Sequence, residues 1–106
     1  MAFDSKPSTW LPNWSEDGTD ISVPLATFPE MTAAEADAEV GDIRKVLFAI
    51  AEKVHDSWNN TAQADRPTQM YIAKSSSVNS TTGVVTNTYT LRFYCEIGTQ
   101  EVADEA

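Results

Sequence analysis

One cysteine, one histidine and four glycines are spread over 106 residues, and each scarcity removes a class of chemistry. A lone cysteine cannot close an intrachain disulfide. A single histidine and a single cysteine cannot supply the clustered nitrogen and sulfur ligands of a zinc site. Four scattered glycines leave no glycine-rich loop to cradle a phosphate, so no cofactor is expected. Basic residues are also few: seven lysines and arginines stand against sixteen acids, for a net charge of -9. A binder of nucleic acid or of an anionic membrane needs a basic field that releases phosphate counterions, so neither partner is expected. The acidic surplus is read as a source of solubility. No apolar run approaches the ~18 residues of a membrane span, and none follows a basic N-terminal segment as in an export signal. The triplets Asn13-Trp14-Ser15, Asn59-Asn60-Thr61 and Asn79-Ser80-Thr81 match the glycosylation pattern, but without such a signal they are read as chance. The expected location is the cytoplasm during assembly, and a virion afterwards.

What the sequence does have is one long amphipathic pattern. Thr32-Ala33-Ala34-Glu35 reads as a capping box, in which hydroxyl and carboxylate each take the other residue's amide, and it predicts a helix from Thr32 to Trp58. Ala36, Val40, Ile43, Leu47, Ile50, Val54 and Trp58 recur every three or four residues as one packing stripe, so Leu47 and Ile50 are expected in the core. Asp42, Lys45, Glu52, Lys53 and Asp56 fall opposite, on a solvated side. Gly41 interrupts this pattern at a cost of about 1 kcal/mol against alanine, either tolerated or permitting close backbone approach. Phe48 lies off the stripe and predicts a second, smaller contact surface.

After a polar connector ending at Pro67, Thr68–Val78 alternates weakly and Val84–Ile97 strongly, which predicts a long hairpin turning within Ser80-Thr81-Thr82-Gly83. Pairing Asn79 with Val84 sets Ile72 opposite Leu91 and Met70 opposite Phe93, so the apolar faces coincide. Cys95 and Ile97 are expected on that same face.

Residues 1–31 hold all but one of the five prolines and two of the three tryptophans, and read as an extended arm. Glu16-Asp17-Gly18 marks a turn, and Ile21, Val23 and Leu25 an edge strand. Phe3, Trp10, Leu11, Trp14 and Phe28 are too large and apolar for a disordered tail. Either they fold back on their own helix and sheet or they anchor a neighbouring copy, as aromatic residues do at interfaces. The assembly hypothesis takes the second placement, because a helix laid on a two-stranded ribbon is thin and leaves its edges uncovered.

Charge is unevenly placed as well. Residues 1–42 carry nine acids against Lys6, residues 43–97 six bases against four acids, and the last nine residues three acids. An acidic arm meeting a basic middle on another copy would assist assembly, although a solvated surface accounts for the same numbers.

Chemistry has few candidates. His55 near the helix end would need a partner and a pocket to act as a base. Cys95 would need an activating base, and on an apolar strand it reads as core. Glu16-Asp17-Gly18-Thr19-Asp20 is rich in oxygen ligands but lacks calcium-loop spacing. The sequence therefore predicts an α+β fold: an arm at 1–31, a helix and hairpin body at 32–97, and an acidic tail at 98–106. It favours a non-enzymatic assembly protein that forms a homo-oligomer or joins a larger protein assembly. Phe3, Trp10, Leu11, Trp14, Phe28 and Phe48 are its candidate interface residues. A monomeric adaptor or inhibitor presenting Trp10 and Trp14 is the alternative, and a small ligand-binding domain a third.

Overall fold

The computed structural model describes residues 4–99 and 101–104, so Phe3 lies outside the described residues. The chain runs through a single helical turn α1 (Pro7–Trp10), a short hairpin β1 (Ser15–Glu16) and β2 (Ile21–Ser22), and a 3-10 turn at Leu25–Thr27. The long helix α2 (Ile43–Asn60), a second 3-10 turn at Gln63–Asp65, and the hairpin β3 (Met70–Asn79) and β4 (Val84–Phe93) follow. The fold is α+β, as the sequence predicts.

The hairpin register matches the expectation residue for residue: Met70 opposes Phe93, Ile72 opposes Leu91 and Asn79 opposes Val84. Gly83 turns with φ of 72°, the left-handed value that a glycine takes without penalty. β4 ends at Phe93, short of the expected Ile97. Past Gln69, whose carbonyl accepts the Tyr94 amide, β3 offers no further partner. The chain turns back instead, and Cys95 bridges to Val102. Cys95 is exposed rather than part of a core.

The helix begins eleven residues later than expected. Thr32 and Glu35 do exchange the two capping-box hydrogen bonds, at 2.9 and 3.2 Å, but they close a turn rather than a helix. Asp37 competes for the chain, its carboxylate accepting the amides of Glu39 and Val40. A Cβ on Gly41 would press into the carbonyl oxygens of Glu35 and Asp37, so the close backbone approach is the correct alternative there. Asp42 is the true N-cap, accepting the Arg44 amide at 3.0 Å.

The arm packs on its own chain. Trp10 stands against Trp58 with ring centroids 6.0 Å apart, and the Ser57 hydroxyl donates to the Trp10 carbonyl at 2.6 Å. The Trp10 indole in turn donates to the Asp4 carbonyl, and the Asp4 amide to that of Asp65. These bonds satisfy backbone groups that an arm reaching to another copy would leave open. Of the two placements expected for the arm, Trp10 takes the one on its own helix. Trp58 becomes the hub, with Tyr71 edge-on at 6.1 Å and the Arg66 guanidinium 4.8 Å above its ring.

The core is small: among the described residues, Phe28, Ala49, Trp58 and Ile72 are the buried apolar ones. α2 meets the hairpin through Phe48, Glu52 and His55, and the arm through Val46, Ile50 and Ser57. The face between those two flanks carries the predicted stripe, and its N-terminal half is open to solvent.

Candidate interaction surface

Three apolar surfaces adjoin one another around α2. The first is a groove of about 460 Å³ between the arm and the helix. Leu11 and Trp14 come from the loop after α1, Leu25 and Phe28 from the 3-10 segment, and Val46 and Ile50 from α2. Thr27 fixes this arrangement, its buried hydroxyl donating to the Pro12 carbonyl at 2.6 Å. Ile21, Val23, Met31 and Ala36 complete the lining. A specific small-molecule pocket places a few polar groups to orient its ligand, whereas the Trp14 indole N–H is the one polar side-chain group among these lining residues.

The second surface is the helix stripe. Ile43 and Leu47 on α2 are 66 and 58% exposed, as is Val40 (82%) in the turn before it, whereas Trp58 at the other end of the helix is buried. The stripe expected to be the packing face is thus closed only at its C-terminal end, and the expectation of a buried Leu47 is corrected. The cause is geometric: arm and hairpin grip the helix from two sides, and the chain has no third layer to cover the face between them.

The third surface is the helix-side face of the hairpin. Ile72 is 3% exposed, but its cross-strand partner Leu91 is 46% exposed, and Phe93 is open too. α2 lies over β3 and stops short of the outer part of β4. Near the tip, Val78, Val84 and Val85 are exposed as well.

Of the candidate interface residues, Leu11, Trp14 and Phe28 meet at the groove, with Phe28 buried in its floor. Phe48 lies edge-on to Tyr89 at 6.4 Å, which is the second contact surface expected of it. The sequence reading missed the exposure of Ile43 and Leu47, because a periodic stripe marks what can be buried without saying by what.

Polar geometry around these surfaces is structural. Lys74 and Glu52 pair at 2.7 Å beneath the Tyr89 ring, joining helix to hairpin. The Tyr89 hydroxyl is enclosed without a hydrogen-bond partner, a cost of about 1–3 kcal/mol. Lys45 and Glu35 pair at 3.1 Å and tie the preceding loop to the helix. The Asp42 carboxyl is lowered to about 2, chiefly by hydrogen bonds from the Arg44 side chain. Backbone amides pull Asp17 and Asp37 below the ordinary range, and the Thr32 amide, then Lys45, does so for Glu35. All four carboxylates hold loops in shape.

His55 rests edge-on to Tyr89, its Nε2 3.2 Å from the Asn59 amide nitrogen, and the Cys95 thiol has the Phe93 carbonyl as its contact at 3.9 Å. Neither is hydrogen-bonded to a carboxylate. In the Glu16–Asp20 turn, the carboxylates of Glu16 and Asp17 already accept the amides of Gly18, Thr19 and Asp20. Among the described residues no cluster of three metal-ligating side chains forms, and no helix is long and apolar enough to cross a membrane. Compared with known protein families, curated proteins and solved structures, the chain matches none.

Proposed function

We propose that this chain is a small non-enzymatic assembly protein that works by associating with copies of itself. The observation that carries the reading is surface left uncovered. The chain exposes 7696 Å², against about 5,800 Å² for a folded monomer of 11.6 kDa. The surplus of about 1,900 Å² per chain exceeds the ~800 Å² that each partner contributes to a standard interface. Exposed apolar side chains line the groove, the Ile43/Leu47 stripe and β4, and contiguous apolar surface of this kind marks interaction sites. A structural component of a phage virion, of the tail, capsid or head-completion kind, is the setting this layout suits: assembly in the cytoplasm, then residence in the particle.

Two results bear on the reading. Leu47→Asp should leave the circular dichroism spectrum unchanged, because the side chain is already half in water, and should weaken self-association measured by light scattering. An unaltered oligomer would remove the stripe from the interface. Mass spectrometry of purified particles should find the chain at many copies per virion, and its absence would overturn the virion setting. An adaptor reading is less well supported, since Trp10 is engaged with Trp58 rather than presented.

A further inference from the structure

We propose that the outer edge of β4 pairs with the same edge of a second copy, antiparallel about a two-fold axis at Tyr89. The product is one four-stranded sheet with both long helices on the same face. This deepens the self-association reading and rests on it.

The backbone shows which groups are free. The Tyr94 amide donates to the Gln69 carbonyl at 2.9 Å, and that pair continues the series Tyr71–Arg92, Ala73–Thr90 and Ser75–Thr88. Bonded and non-bonded pairs alternate along an antiparallel ladder. The even-numbered residues of β4 therefore bond to β3, while the N–H and C=O groups of Val85, Asn87, Tyr89, Leu91 and Phe93 point outward. Among the described residues β4 pairs with no strand but β3.

This edge lacks the devices that keep edges apart. It contains no proline, no lysine and no bulge, and Arg92 near its end is its one charge. β3, by contrast, carries Lys74 drawn to Glu52. The side chains beside the free edge are also those the helix leaves bare, Leu91 and Phe93. A strand added there extends the face on which Ile72 is already buried.

The axis position follows from the side chains. Centring on Tyr89 sets Val85 of one copy opposite Phe93 of the other, and Thr88 opposite Thr90 on the outer face, both favourable cross-strand pairs. It also keeps nine residues, 85–93, paired in full. Moving the centre to Thr88 would set Phe93 opposite Gly83.

The test uses the full chain in sedimentation velocity. Thr88→Lys with Thr90→Lys places like charges across the axis, and so does Thr88→Glu with Thr90→Glu. Both positions lie on the exposed face away from α2. Each double variant alone should dissociate at least about tenfold more readily than wild type, and an equimolar mixture should recover the wild-type sedimentation coefficient. Hydrogen exchange on the wild-type protein is independent of the variants: the amides of Asn87, Tyr89 and Leu91 should be as protected as those of Thr88 and Thr90. A wild-type oligomer whose affinity neither variant changes, or whose odd-numbered β4 amides exchange at free-edge rates, overturns the edge pairing and leaves self-association standing. Failure of the mixture to reassociate also overturns it. A wild-type monomer at every concentration overturns both.

Discussion

At the scale of single residues, the segment between arm and helix is held by short carboxylate contacts rather than by burial. Asp42 shows the consequence. Its carboxyl titrates at about 2, because Arg44 donates to it from the side chain at 3.0 and 2.7 Å and from the backbone. A depressed carboxylate contributes stability above its unfolded value, near 3.9, and loses it as pH falls toward the folded value. The melting temperature should therefore fall between about pH 4 and pH 2, and Arg44→Ala should raise the Asp42 midpoint followed by NMR. An unshifted midpoint in that variant would refute the assignment. Gly41 is the steric counterpart: Gly41→Ala must displace the carbonyl groups of Glu35 and Asp37. We expect a loss of about 1–3 kcal/mol in urea denaturation, a strain penalty that an ordinary solvated glycine would not show.

At the scale of elements, the two ends of α2 behave differently. Trp58 is buried among Trp10, Tyr71 and Arg66, so Trp58→Ala should cost about 3–5 kcal/mol of folding stability. Leu47→Ala should cost under about 1 kcal/mol measured on the monomer. Equal losses would mean that the stripe is buried in the single chain. The same contrast shows what was legible in the sequence. The hairpin was, down to its register, because a period of two and a turn glycine constrain each other. The helix start was not: Thr32 and Glu35 form their capping box, yet Asp37, Gly41 and Asp42 offer the backbone a tighter local solution, and local signals do not announce which of them prevails. The docking of Trp10 on Trp58 joins residues 48 positions apart, a contact no periodicity encodes. At the site, Leu11, Trp14 and Phe28 could be named from their size and apolarity, whereas the groove they line arises only when α2 is laid beside them.

At the scale of the whole molecule, the chain is too open for its mass. Its radius of gyration is 16.2 Å, against about 13 Å for a compact domain of this length, and no large side chain among the described residues is fully buried. A thin two-layer body leaves apolar side chains without a covering layer, and the proposed self-association would supply that layer from another copy. Sedimentation equilibrium of the wild-type protein over a hundredfold range of concentration tests this most directly. The expected result is a mass that rises to an integral multiple of 11.6 kDa and holds there. A mass that stays at 11.6 kDa throughout would contradict self-association as the purpose of this surface.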